Sequence, residues 1–116
     1  MQYMLLVYDT AGAWPELTEE EMGAVYSEYA AVSQNRATKH SAQLKGTEEA
    51  KTVRIKDGQT LVTDGPFAET KEVLGGFYMI DADSLDEAID AAARIPSARI
   101  GTIEVRPVAA HTESAA

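Results

Sequence analysis

The sequence predicts an α+β protein with a ferredoxin-like split βαβ arrangement, in the element order β-α-β-hairpin-β-α-β. Residues 3–8 and 77–80 are apolar at both alternating positions, which is typical of strands covered on both faces. In two later segments, a capping box is followed by apolar residues at helical spacing. Residues 52–63 alternate around a central turn, as a hairpin does. In this topology the two fully apolar strands occupy the centre of one sheet.

The first half of the chain begins with a central strand over residues 3–8. Thr18 and Glu21 form a capping box that starts the first helix, which we expect to end between Asn35 and Lys39. Residues 39–51 are weakly patterned, with a short strand expected near residues 41–44. The predicted buried stripe of the helix consists of Met22, Val25, Tyr26, Tyr29 and Val32.

The second half continues with the hairpin, whose turn is Asp57-Gly58, and then with the central strand at 77–80. Ser84 and Glu87 form a second capping box. The last strand, near residues 102–106, alternates as an edge strand does. We expect one domain over residues 1–108 and a mobile tail over 109–116. The predicted stripe of the second helix consists of Leu85, Ala88, Ile89, Ala92 and Ile95.

Composition excludes several classes of function. A chain of 116 residues with 45% hydrophobic content holds one core, and the absence of cysteine excludes disulfides and thiol chemistry. A formal charge of −9 argues against nucleic-acid binding. The sequence shows no apolar run of membrane-spanning length and no signal peptide, so the expected location is the cytoplasm, with no membrane contact.

Metal and cofactor signals are also missing from the sequence. His40 and His111 have no partner at metal-ligand spacing, so a metal site is not expected. Neither a phosphate-binding loop nor a nucleotide fingerprint occurs, and we predict no cofactor. The acidic group Glu16, Glu19, Glu20 and Glu21 is interpreted as a solvated helix face, with an acidic docking patch as the alternative.

Residues 63–72, which read TDGPFAETKE, are followed at once by LGGFYMID at 74–81. This order resembles the DGPF-type branch of the YCII-related proteins, and the resemblance covers nearly the whole chain. It implies a dimeric α+β barrel, in which two sheets face each other and enclose a cleft. Other YCII-like proteins carry a histidine on the first helix, proposed to pair with an aspartate as an acid/base couple. This chain has no histidine between Thr18 and Ala37, so that couple is not carried over.

The residue pattern independently favours a homodimer. Two helices cover only one face of a sheet, whereas both central strands are apolar on both faces. The second face therefore needs another apolar surface to exclude water, and a second copy of the chain is the simplest cover.

Asp64 is the candidate catalytic residue, because the Gly65-Pro66 step would hold its carboxylate in one direction. Acid or base work would require a pKa raised by burial or by a neighbouring acid. The alternative is an Asx-type turn, in which Asp64 accepts hydrogen bonds from nearby backbone and Gly65 supplies the unusual backbone angles.

Five further residues are candidate ligand contacts, each with a structural alternative. Arg54 could bind a carboxylate or meet Asp64 across the hairpin, or it could face solvent. Tyr26 and Tyr29 could line a pocket or belong to the core. Phe67 could stack on a ligand or anchor its loop, and Lys71 could meet an anion or compensate neighbouring acids.

We therefore expect a homodimer that binds an unknown small organic ligand in a cleft near Asp64, with acid/base activity as an additional prospect. The rival hypothesis is a regulatory or interaction protein. It follows from the resemblance, because genes of this family often lie beside those for extracytoplasmic-function sigma factors. A third hypothesis is a purely structural dimer without a pocket.

Overall fold

The computed structural model describes residues 1–10 and 12–110, so most of the predicted tail, residues 111–116, lies outside the described residues. No helix in the described ranges is long and apolar enough to cross a membrane. The elements are β1 (Gln2–Thr10), α1 (Glu19–Ser33), β2 (Thr38–Gln43), a 3-10 turn at Thr47–Glu49, β3 (Lys51–Lys56), β4 (Gln59–Asp64), β5 (Glu72–Asp81), α2 (Leu85–Ala93), a second 3-10 turn at Pro96–Arg99, and β6 (Thr102–Pro107).

The main sheet has the strand order β2-β5-β1-β6, with every neighbouring pair antiparallel. The two strands predicted to be central, β1 and β5, are central, and β6 is an edge. This confirms the predicted ferredoxin-like α+β fold. Strands β3 and β4 form a separate two-stranded hairpin. Its turn residues Asp57 and Gly58 have φ values of 52° and 77°, the left-handed conformation that a tight hairpin turn requires.

The core lies between one face of the sheet and the helices. Tyr3, Leu5 and Val7 of β1 are buried on this face, opposite Ile80, Tyr78 and Gly76 of β5. The α2 side contributes Ala88, Ala92 and Ile95. Every second residue of β1 therefore faces the helices, as the period of a strand requires.

Both predicted helix starts are present. The Thr18 hydroxyl accepts from the Glu21 amide at 3.1 Å, and the Glu21 carboxylate accepts from the Thr18 amide at 3.0 Å. At α2 the Ser84 hydroxyl accepts from the Glu87 amide, but the Glu87 carboxylate accepts from the Asp83 amide instead of that of Ser84. Helix α1 ends at Ser33, earlier than predicted, because the Asn35 side chain accepts from the Ala37 amide and turns the chain.

The predicted stripes of both helices are only partly buried. Val32 is the buried residue of α1, whereas Met22 and Tyr26 are 40% and 64% exposed. The first turns of α1 lie over a cavity and not directly on the sheet, which explains this difference. In α2 the small side chains of Ala88 and Ala92 make the contact, and the larger Leu85 and Ile89 at its flanks stay half-exposed.

The opposite face of the sheet, here called the open face, is apolar along β1 and β5 and is flanked by Glu104 and Arg106 of β6 and by His40 of β2. The described helices pack on the other face. Register places Met4 opposite Met79 and Leu6 opposite Phe77, with Tyr8 further along β1. All five are only half-buried. The same strands therefore present an apolar surface on each side, as their sequence predicts.

We predict that Leu5→Ala lowers the free energy of unfolding by about 2–5 kcal/mol, because Leu5 is fully buried at the centre of the sheet. Leu85→Ala removes the same atoms from a half-exposed position and serves as the control, with an expected loss below about 1 kcal/mol. Urea denaturation followed by circular dichroism measures both. Equal losses for the two variants would contradict the assignment of the core.

Candidate ligand-binding site

A cavity of about 660 Å³ lies between the first turns of α1, the loop that precedes this helix, and the neighbouring ends of β1, β2 and β5. The loop contributes Trp14 and Leu17, and α1 contributes Met22 and Val25. The cavity has the size of a small-molecule pocket, and most of these walls are apolar.

Asp9 is the carboxylate of this cavity. It continues the alternation of Tyr3, Leu5 and Val7, so it lies on the helix-covered face of β1, where the strand passes beyond the packed core. Its side chain is half-buried. No Lys, Arg or His is found among the described residues that line the cavity. The sequence contained a signal for Asp9, namely an acid that continues the buried parity of a central strand.

A β-bulge shapes the wall beside Asp9. Val7 pairs with Gly76 and Tyr8 pairs with Leu74, so Gly75 is the extra residue of β5. A Cβ atom at Gly75 would overlap the Asp9 Oδ2 atom, and one at Gly76 would lie 2.8 Å from the Ala42 carbonyl oxygen. The two glycines therefore let the carboxylate and strand β2 approach the β5 backbone closely.

Tyr29 and Ser97 supply a second polar group in the wall. The Tyr29 hydroxyl and the Ser97 Oγ lie 2.6 Å apart and share a hydrogen bond. Burial raises the pKa of Tyr29, the hydrogen bond with Ser97 partly offsets this, and the negative charge of Asp9 raises the pKa further. Tyr29 is therefore neutral at physiological pH and keeps its proton as a hydrogen-bond donor.

The backbone around Ser97 is tied to α1 by an ion pair. The Arg99 guanidinium donates to both carboxylate oxygens of Glu28, at 2.8 and 3.2 Å. The same contact lowers the pKa of Glu28. A two-point contact of this kind fixes orientation, so it helps to keep Ser97 against Tyr29.

The sequence matches the model of the YCII-related domain over residues 1–112. The chain belongs to the YCII-related family. It is also 41% identical over 115 residues to an uncharacterised protein of Rhizobium meliloti (strain 1021), covering 94% of this chain and 93% of that protein. The family assignment confirms the resemblance at that level, whereas membership of the DGPF-type branch stays a prediction.

In this YCII-related chain, two of the six predicted site residues reach the cavity. Tyr29 lines it with a partly buried side chain, and Tyr26 lines it while remaining largely exposed. Arg54, Asp64, Phe67 and Lys71 are not among its described lining residues.

Asp64 lies at the end of β4, and its carboxylate forms an ion pair with Lys51 on the paired strand β3. Its side chain is 89% exposed. Arg54 does not meet it, because Arg54 pairs with Leu61 on the opposite face of the hairpin. The unusual backbone angles expected of the turn do occur at the next residue, Gly65, which has a φ of 87°. Its amide donates to the Ala50 carbonyl oxygen at 2.8 Å.

The loop between β4 and β5 projects away from the core. Phe67 is 80% exposed and does not anchor the loop, contrary to the structural alternative considered for it, and Lys71 is also exposed. The last residue of the TDGPFAETKE segment has a defined role, because the Glu72 carboxylate accepts from the Thr10 and Thr102 hydroxyls at 3.5 and 3.0 Å. Glu72 therefore connects β5 to its neighbour β1 and, beyond β1, to the edge strand β6.

The possible metal ligands of the chain are its histidine and carboxylate side chains. His40 lies exposed on β2, and His111 lies outside the described residues. Over residues 1–10 and 12–110, no group of three or more histidine or carboxylate side chains is arranged to hold a metal ion.

We predict that Asp64→Asn changes the free energy of unfolding by less than about 1 kcal/mol, because the ion pair with Lys51 is exposed to solvent. Lys51→Gln removes the other partner and should give the same small change. Thermal denaturation measures both. A large loss of melting temperature in Asp64→Asn alone would restore the interpretation of Asp64 as an essential turn residue.

Proposed function

We propose that this protein binds a small organic ligand in the cavity between α1 and the sheet, with Asp9 and Tyr29 as its polar contacts. The observation that supports this proposal is the convergence of the Asp9 carboxylate and the Tyr29 hydroxyl on a mainly apolar cavity of about 660 Å³, whose lining also includes Ser33, Ser41 and Gln43. Pockets of this size with few polar groups are typical of small-molecule sites.

The proposal moves the candidate acid/base group from Asp64 to Asp9. A general base must reach a proton of the bound ligand, and Asp9 lines the cavity whereas Asp64 projects into solvent. Any proton transfer to or from a ligand in this cavity would use Asp9, with the neutral Tyr29 hydroxyl as a hydrogen-bond donor.

A screen of small metabolites by thermal shift tests the proposal, because a ligand that binds only the folded protein raises its melting temperature. Val25→Phe places a ring in the cavity wall, and we expect it to abolish the shift produced by each compound that binds. Ala24→Phe adds the same ring at the neighbouring exposed position and should leave the shift unchanged. Equal shifts in wild type and Val25→Phe would place the ligand elsewhere.

We further propose that the protein is a homodimer whose two open faces pack together. The chain exposes 8386 Å², about 2200 Å² more than the roughly 6200 Å² typical of a monomer of 12.5 kDa. This excess is larger than the roughly 800 Å² that each subunit contributes to an interface of standard size.

The apolar side chains that stand outside the core support the same assembly. Beyond the open face, the hairpin exposes Val53, Ile55 and Val62 by more than half on one side, and Phe67 projects from the following loop. The radius of gyration, 16.4 Å, also exceeds the roughly 13 Å expected for a compact domain of this length. Contact with a second copy would cover exposed apolar side chains of this kind.

Light scattering after size-exclusion chromatography should give twice the chain mass of 12.5 kDa. Leu6→Arg places a charge at the centre of the open face and should produce a monomer, because removing a charge from water costs several kcal/mol even beside an opposite charge such as Glu104 on the paired strand. Glu20→Arg, on the exposed surface of α1, is the control for the added positive charge. A monomeric wild type at micromolar concentration would contradict the dimer and leave the cavity proposal standing.

A further inference from the structure

The cavity presents a carboxylate without a basic partner among the described residues that line it. Asp9 is its single carboxylate among the described lining residues, and those residues include no basic side chain. Within the described part of the chain, the Asp9 carboxylate takes part in no ion pair and no side-chain hydrogen bond. A half-buried carboxylate attracts a cationic group, since the surrounding protein screens its charge less than bulk water does.

The backbone keeps a defined place for this carboxylate. Gly75 is the extra residue of the bulge opposite the Val7 to Tyr8 step, and any side chain there would overlap Asp9 Oδ2. Beyond Asp9, the strand end is held by the hydrogen bond from the Thr10 hydroxyl to the Glu72 carboxylate. The glycine thus leaves room for the carboxylate at the cavity wall.

Aromatic side chains surround the same space. Trp14, Tyr26, Tyr29 and Tyr78 all line the cavity. Burial raises the pKa of both Tyr29 and Tyr78, so these two rings are neutral at physiological pH. The faces of neutral aromatic rings attract ammonium groups, most strongly where water is partly excluded.

The wall formed by α1 and the loop before it indicates the rest of the ligand. Leu17, Met22 and Val25 form an apolar surface opposite the strand ends, which suits a hydrocarbon or aromatic body. An anionic ligand would meet the Asp9 carboxylate without a compensating cation, and it would also approach a chain with a formal charge of −9.

We propose that the ligand of this cavity is a small organic cation, either a protonated amine or a quaternary ammonium group on an apolar body. Asp9 binds the cationic group, the aromatic rings flank it, and Leu17, Met22 and Val25 contact the body. This assignment rests on the proposed ligand-binding function and specifies the class of compound that the site selects.

Three probes of one shape test the charge preference: benzylamine, which is protonated at pH 7, benzyl alcohol, which is neutral, and benzoate, which is anionic. Trp14 is the single tryptophan of the chain and lines the cavity, so its fluorescence reports binding, with isothermal calorimetry as an independent measurement. We expect benzylamine to bind at least about tenfold more tightly than either of the other two.

Asp9→Asn should weaken benzylamine binding by about tenfold or more and leave the affinity for benzyl alcohol within about twofold. Glu20→Gln removes one negative charge from the exposed surface of α1 and controls for net charge, so it should leave the affinity for benzylamine unchanged. Trp14→Phe keeps an aromatic ring in the wall and should retain the charge preference by calorimetry.

Similar affinities for all three probes, or an Asp9→Asn variant that binds benzylamine as well as wild type does, would overturn the cation proposal. So would benzoate binding more tightly than benzylamine, or no detectable binding of benzylamine by either measurement. The proposed ligand-binding function is judged separately, by the metabolite screen with Val25→Phe and Ala24→Phe.

Discussion

The structure depends on one constraint, namely that two helices cover only one face of a four-stranded sheet whose central strands are apolar on both. On the covered face, Tyr3, Leu5 and Val7 pack into the core. On the open face, Leu6 and Phe77 stay half-buried. Burial of apolar area is worth about 25 cal/mol per Å², so an uncovered face of this kind is costly, and this cost is the physical basis of the proposed homodimer.

The cavity lies on the covered face and follows from how the two helices approach this face. The core is thin, and α2 approaches the sheet through alanines, whereas α1 crosses the end of the sheet where β1 continues to Asp9. Here the first turns of α1 carry Met22 and Val25 over a space that no core side chain fills. The exposure of Met22 and Tyr26 and the presence of the cavity thus have one cause, the separation of these turns from the sheet.

Topology was predictable from the sequence because it depends on local signals. The capping box at Thr18, the turn at Asp57-Gly58 and the apolar strands each act within a few residues. The site was less predictable because it depends on strand register and on how the helices are placed against the sheet. Asp64 and Arg54 lie close in sequence to one turn, but strand register places them on opposite faces of an exposed hairpin.

Asp9 shows what a sequence can reveal about such a site once the register is known. An acid at the end of an apolar alternation stays on the core side of its strand, and it can remain there only where the packing leaves space. The helix register likewise carries Tyr26 and Tyr29 to the cavity, although their burial differs. Residue spacing therefore identified the helix face on which the two tyrosines lie, whereas the burial of each ring depends on how closely α1 approaches the sheet.

The segment at residues 63–72 is linked to the strand that carries Asp9 by its last side chain, Glu72, and not by Asp64 or Phe67. Its last residue, Glu72, accepts hydrogen bonds from Thr10 on β1 and from Thr102 on β6, and these bonds join three strands at one end of the sheet. Thr10 directly follows Asp9, and the bulge at Gly75 begins three residues after Glu72. Glu72 therefore links the segment to the strand end that follows Asp9, while Asp64 and Phe67 project into solvent.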